Sequence, residues 1–306
     1  MKTVLLGVTA AALAVIPVSS SHAEWFRETV DDSLPGGFAC SLVLDSSNRP
    51  HIAYWRQFSE NFPNSFTPCY ATQSGTTWEA APLALTSTNT FGAYTSIILG
   101  PGGRPAIAYQ TSGSLLFYAA MNADKEWLIG SNIAADTGSW LSMIWNGTQP
   151  RIAASQGTTL QFLQPNGNSW ASSNVDTTNA GASCSMDIRP DGAVGIGYIK
   201  GGNIRYASSL QGNTPAPPDP LTFPQNLSAT RCAFTFDSNG NSHILYYDQN
   251  SETYRHITNE AGPCGPPSPP SSLQPASVRS IFTDVPSPRV PTDRSTPPSS
   301  TIRPTR

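Results

Sequence analysis

The run Ser96-Ile97-Ile98-Leu99-Gly100-Pro101-Gly102-Gly103-Arg104-Pro105-Ala106-Ile107-Ala108-Tyr109 reads as two short strands around a tight reversal. Both flanks are rich in β-formers, and Pro-Gly-Gly supplies the backbone freedom a turn needs. The same phrase occurs five times. A small residue opens an apolar strand, a turn follows, and a second strand carries an isoleucine. The copies begin at Ser41, Ser96, Ser142, Ser185 and Ala233, with isoleucines at Ile52, Ile107, Ile152, Ile196 and Ile244, spaced by 44 to 55 residues. The intervening turns include Asp45-Ser46-Ser47-Asn48, Asn146-Gly147, Pro190-Asp191-Gly192 and Asp237-Ser238-Asn239-Gly240.

Each hairpin is followed by a third β run, such as Cys69-Tyr70-Ala71-Thr72 or Ile204-Arg205-Tyr206-Ala207. A fourth run opens on Trp78, Trp127 or Trp170, and in the fourth copy on Leu221-Thr222-Phe223. Four strands per repeat of this length predict an all-β, five-bladed β-propeller with four-stranded blades. The fifth copy meets proline at Pro263 before any fourth strand, whereas an unmatched strand-like run, Trp25 to Val30, stands at the other end. The expectation is that this N-terminal strand pairs with Thr253 to Thr258 in the last blade, closing the ring and removing two exposed edges. A β-sandwich is the alternative, and fixed-period repetition argues against it.

Residues 1–23 read as a signal peptide. Lys2 supplies the basic start, Val4 to Val18 an apolar run broken by Pro17, and Ser21-His22-Ala23 the small residues of a cleavage site. The expected domain is therefore 24–261, in a secreted protein, extracellular or periplasmic, with no membrane span after cleavage. From 262 to 306 a Pro/Ser/Thr-rich tail holds 12 of the 28 prolines and cannot build a core. The 306 residues are 38% apolar and only 12% charged, against roughly 25% in a typical soluble domain. A net charge of −3 provides no basic field for nucleic acid. A monomer is expected.

The repeat resembles the degenerate Asp-box (BNR-type) propellers of secreted proteins. That family's Ser-x-Asp-x-Gly-x-Thr-Trp hairpin lies between the third and fourth strands. Here Ala71-Thr72-Gln73-Ser74-Gly75-Thr76-Thr77-Trp78 keeps Gly75, Thr77 and Trp78, and Pro165-Asn166-Gly167-Asn168-Ser169-Trp170 keeps Gly167 and Trp170, both without the aspartate. The resemblance implies a propeller over 25–260 and admits sialidases, lyases, lectins and scaffolds, so it selects no function.

Catalytic constellations are sparse. Glycoside hydrolysis needs two carboxylates, yet Asp187 alone lies inside an inner strand, and Asp45 and Asp237 begin turns, where an aspartate caps its own loop. His51 and His243 share one repeat position in the blades expected to meet at the closure. With a tyrosine, such a histidine could abstract a proton in a polysaccharide lyase; its plainer role is a hydrogen bond to its own turn. No metal-ligand spacing and no cofactor fingerprint is present. Cys40, Cys184 and Cys232 occupy equivalent positions and read as small packing residues; Cys69 and Cys264 could each pair with one of them.

A propeller ligand sits over the axis. Two residues before the small residue of each inner strand stand Ala39, Tyr94, Trp140, Ser183 and Arg231. Just beyond the second strands stand Trp55, Arg56, Gln110, Gln156, Lys200 and Asp248, and a long loop from Trp55 to Pro68 adds Phe58, Phe62 and Phe66. These positions vary while their frame repeats. The candidate binding set is Tyr94, Trp140, Arg231, Trp55, Arg56, Lys200 and Asp248, and its mixture of aromatic and polar groups suits a glycan or cell-surface polymer. Three functions stay open: a non-catalytic binding propeller, an extracellular lyase or hydrolase using His51, His243 or carboxylates, and a structural surface module.

Overall fold

The structure, a computed structural model, describes residues 26–83, 94–111, 114–130, 132–134, 137–147, 149–209 and 227–259. The signal-peptide reading, the tail from 262, and the run Leu221-Thr222-Phe223 lie outside these residues. The described chain is built from five antiparallel sheets, each a meander in chain order. The first comprises β1 (Gly36–Leu44), β2 (Pro50–Ser59), β3 (Phe62–Ser74) and β4 (Thr77–Pro82). The second holds β5 (Thr95–Leu99), β6 (Pro105–Gln110), β7 (Leu116–Met121) and β8 (Trp127–Ile129). The third holds β9 (Thr137–Asn146), β10 (Gln149–Gln156), β11 (Thr159–Asn166) and β12 (Ser169–Asp176). The fourth has β13 (Ala180–Ile188), β14 (Val194–Lys200) and β15 (Asn203–Ser208), and the fifth β16 (Ala229–Phe236), β17 (Ser242–Asp248) and β18 (Thr253–Thr258). Three sheets thus show four strands, and the last two show three among the described residues.

The turn residues do what their chemistry allows. Asp45 accepts the backbone N–H groups of Ser47 and Arg49, and Asp237 those of Asn239 and Asn241. Both carboxylates are spent on closing their own loops. In the third-to-fourth-strand hairpins, Gly75 and Gly167 take the left-handed φ of 65° and 61° that the reversal requires.

Successive sheets stack face to face, first strand beside first strand. The opening serine of each repeat links them. Backbone N–H groups of Ile97, Met143, Met186 and Phe234 donate to the hydroxyls of Ser41, Ser96, Ser142 and Ser185 at 3.0–3.2 Å. Each serine therefore satisfies an inner-strand donor of the next sheet, which has no ladder partner on that edge. The fifth copy has Ala233 at this position. Between the stacked sheets lie mixed apolar cores. Trp55, Tyr109, Ile97 and Ile107 fill the first junction, and Phe162, Met186, Ile196 and Tyr198 the third. At the fourth junction Phe234 lies so close to Gly195 and Gly197 that an added Cβ would come within 2.6 Å and 2.8 Å of its side chain.

Two expectations change in the structure. Trp55 to Pro68 is not a long loop: β2 and β3 continue to Ser59 and Phe62, leaving a turn at 60–61. Trp55 and Phe66 both enter the core, and the ladder continues past them through Gln57–Phe66 to Ser59–Phe62. At the N-terminus, residues 26–29 carry no strand, and no ladder joins them to β18 among the described residues. They lie against the first sheet. Glu28 accepts the Trp78 indole N–H at 3.0 Å, and Val30 packs against the buried cluster of Tyr54, Cys69 and Ala71.

Candidate functional site

The residues just ahead of the inner strands converge. Tyr94 leads into β5 and Trp140 lies near the start of β9. Their rings approach to a centroid distance of 4.6 Å at 36°. Burial pushes the Tyr94 phenol up, and the nearby Arg231 guanidinium on β16 partly opposes that rise. The second and third sheets therefore bring one ring each to a shared contact, and the fifth contributes a charge that Tyr94 feels; all three residues are half-buried. The same repeat position is irregular in three other ladders, although the β5–β6 ladder behind Tyr94 runs without a slip. The β1–β2, β13–β14 and β16–β17 ladders slip just before the repeat's small residue. At this position Ala39 and Ser183 adopt φ of 48° and 51°, which non-glycine residues rarely hold. The Ser183 side chain is enclosed and accepts the Cys232 N–H at 2.8 Å. Ala39 and Ser183 therefore serve the frame, while Tyr94 and Trp140 meet each other half-buried at the same repeat position.

The other expected binding residues have structural duties. Trp55 is fully enclosed, its ring edge-on to Tyr109 at 6.0 Å. Arg56 donates to the Asp31 carboxylate at 2.9 Å and to the Ser33 hydroxyl. Lys200 donates to Asp176 at 2.6 Å. Asp248 is buried, accepts from Ser251 at 2.8 Å and from the Asn250 N–H, and lies 3.6 Å from Arg255. Sequence reading passed over Asp31 and Asp176. Asp31 also accepts the Tyr54 hydroxyl at 2.6 Å, as Asp176 does the Tyr198 hydroxyl at 2.7 Å. Burial opposes ionisation of Asp31, but hydrogen bonds from Ser33 and Tyr54 and the Arg56 charge outweigh it and hold the carboxyl at about 2. The signal was present: each aspartate ends a Trp-x-x-x-x-Val-Asp run, Trp25 to Asp31 and Trp170 to Asp176.

The histidines sit at the opposite end of the second strands from this cluster. His51 Nδ1 is 2.6 Å from the Tyr70 hydroxyl, and its Nε2 is 3.6 Å from Asp45. Both rings are buried, and burial pushes the His51 imidazole down. His243 Nδ1 is 3.0 Å from His256 Nε2, with the rings parallel at 5.2 Å, and Asp237 is 3.6 Å away. Asp187 links sheets, accepting the Thr235 hydroxyl at 2.7 Å and the Phe236 N–H at 2.9 Å. Cys40, Cys69, Cys184 and Cys232 are free thiols, and burial pushes Cys184 up to about 12.

No family model matches the sequence, and no curated protein does. Solved structures do match. The BP39L lectin from Burkholderia pseudomallei aligns with a TM-score of 0.55 at 12% identity, over 74% of this chain and 67% of that one. The Aleuria aurantia lectin, a six-bladed β-propeller described with a fucose recognition mode, aligns at 0.51 and 13%, over 81% of both chains. An ulvan lyase of polysaccharide lyase family 25, bound to a GlcA-Rha3S repeat, aligns at 0.53 and 11%, over 77% of this chain and 73% of that one. At such identities the likeness speaks to architecture alone, and together with the stacked four-stranded meanders it establishes that this chain has the β-propeller fold.

Proposed function

We propose that this chain is a secreted, non-catalytic glycan-binding propeller whose ligand sits on Tyr94, Trp140 and Arg231. The observation that carries the reading is their convergence from three sheets. A tilted aromatic pair offers faces for the apolar side of a sugar ring, and a guanidinium beside it can bond hydroxyls or a carboxylate. The fold's likeness to lectins, one of them described for fucose recognition, supports the same reading. The scaffold we propose is a closed ring of five blades, acting as a monomer.

The test is retention on a glycan array spanning fucosylated, uronate-containing and cell-wall polysaccharides. Binding to at least one class is expected, and Trp140→Ala should weaken it roughly tenfold with the unfolding midpoint kept, in line with an aromatic stacking contact. Absence of retention on every class would overturn the reading. A second reading, lyase chemistry by His51 with Tyr70, draws on their 2.6 Å hydrogen bond. Enclosure of both rings argues against it. Uronate double bonds appearing with wild type and lost with His51→Ala would favour it over simple binding.

A further inference from the structure

We infer that Arg151, near the head of β10, binds an oxyanion, the carboxylate or sulfate group of an acidic ligand, which supplies a counter-charge that the third sheet lacks. The deficit shows against the other repeats. His51, Arg151 and His243 occupy one repeat position. In the first sheet it lies beside Asp45, with His51 Nε2 3.6 Å from the carboxylate, and in the fifth beside Asp237, with His243 Nε2 at the same distance. The ladders locate the corresponding residue of the third sheet. Val43 pairs with His51, Ile144 with Arg151 and Thr235 with His243. Two residues beyond these partners stand Asp45, Asn146 and Asp237. The third sheet thus keeps a base at the head of its second strand and has an amide where the other two have the acid.

Water does not make good the difference. Ile144, opposite Arg151, and Ala153, on the same face of β10, lie in the core shared with the fourth sheet, and Arg151 itself is half-buried. Its Nη1 donates to Gln149 Oε1 at 3.0 Å and to the Pro150 carbonyl at 3.3 Å, both neutral acceptors, and its enclosed Nε has no hydrogen-bond partner. Burial pushes the guanidinium down from its ordinary value. Arg49, Arg56, Arg189, Lys200 and Arg255 each lie within 3.6 Å of an aspartate. Arg151 has no such partner among the described residues. In the neighbouring fourth sheet, Asp187 is spent on Thr235 and Phe236, and Asp191 on Arg189 and the Ala193 N–H. A cation withdrawn from water without a partner is costly, and an anion relieves that cost.

The chemistry of the group selects its ligand. A guanidinium holds its N–H groups in a rigid fork that matches two oxygens of a carboxylate or sulfate. Gln149, whose oxygen already accepts from Arg151, has an amide NH2 to donate to the same anion. An inorganic anion and the acid group of a uronate or sulfated saccharide share this chemistry. The place is separate from the aromatic pair: Trp140 lies near the start of β9, and Ile144, opposite Arg151, near its end.

The test is thermal unfolding of the full chain at constant ionic strength, with chloride exchanged for sulfate or for glucuronate. Sulfate also stabilises proteins by exclusion from their surface, so the effect is read as the rise in wild type beyond that in Arg151→Gln. A saturable excess of about 2–4 °C is expected at a few times the dissociation constant. Asn146→Asp puts the missing acid into the chain; it should raise the midpoint in chloride and lose most of the excess. Saturable movement of the Arg151 Nε–H resonance in wild type gives a readout that needs no variant to fold. Glucuronate acting at several-fold lower concentration than sulfate would make a saccharide acid the source, and sulfate acting alone an inorganic anion. Retention of the full rise by Arg151→Gln or Asn146→Asp would overturn the inference, as would an Nε–H resonance that neither anion moves. Trp140→Ala should keep the excess; its loss there would move the anion to the aromatic pair and sink the separate site. A glycan array without retention beside an intact excess sinks the glycan reading alone.

Discussion

At the scale of single residues, the carboxylates divide by what they hold. Asp45, Asp191 and Asp237 close turns, Asp187 ties two sheets, Asp176 locks the third sheet to the fourth, and Asp31 locks the N-terminal segment to the first. The locks should be acid-sensitive. Asp31 is held at about 2, below its ordinary value of 3.8. A carboxyl depressed on folding stabilises the fold above its unfolded value and loses that contribution as pH falls through the folded one. The contribution of Asp31 is therefore complete above about pH 4 and gone near pH 2. Asp31→Asn should lower the unfolding midpoint at pH 7 and flatten its dependence between these limits, which thermal melts across pH will read. Burial also explains why Trp55 was misplaced by repeat position alone. A tryptophan just beyond a second strand looks available to a ligand, but strand alternation turns its ring into the junction with the second sheet.

At the scale of elements, the inner strands depend on side chains rather than ladders along one edge. Ser142→Ala should strand the Met186 N–H in a buried setting and cost about 1–3 kcal/mol. Ser142→Thr, which restores a hydroxyl, should recover part of it. Urea titrations with unchanged slope would check both, and an alanine variant as stable as wild type would show the serine relay to be incidental. Gly197→Ala should be worse than an ordinary small-to-large change at the surface, because its methyl would meet the Phe234 side chain at 2.8 Å. A loss of about 1–3 kcal/mol is expected from such overpacking, read in the same titration. Strand existence and turn position were legible, since period-two apolarity and Asp/Asn/Gly turns are local signals. The hairpin from Trp55 to Pro68 was not, since its strands mix polar and aromatic residues with no period-two pattern, and packing of Trp55 and Phe66 in the first core holds it extended.

For the whole molecule, stacking makes each blade depend on its neighbours, so the ends decide cooperativity. A chain truncated after Gly262 should keep its unfolding midpoint and its glycan retention, because the proline-rich tail can bury little apolar surface. Removal of residues 24–31 should instead lower the midpoint and broaden the transition, since it takes away Val30 and the Asp31 lock. Calorimetry on the two truncations separates these outcomes.

Sequence alone determined the repeat, the hairpins, and which positions correspond from blade to blade, because those depend on neighbours a few residues apart. Tertiary structure decided which corresponding residues meet. It brought Tyr94 and Trp140 together within reach of the Arg231 charge, enclosed Trp55, and gave Asp31 and Asp176 the same kind of partners. Those outcomes turn on sheet-to-sheet contacts across tens of residues, and no local pattern encodes which side chains such contacts bring together.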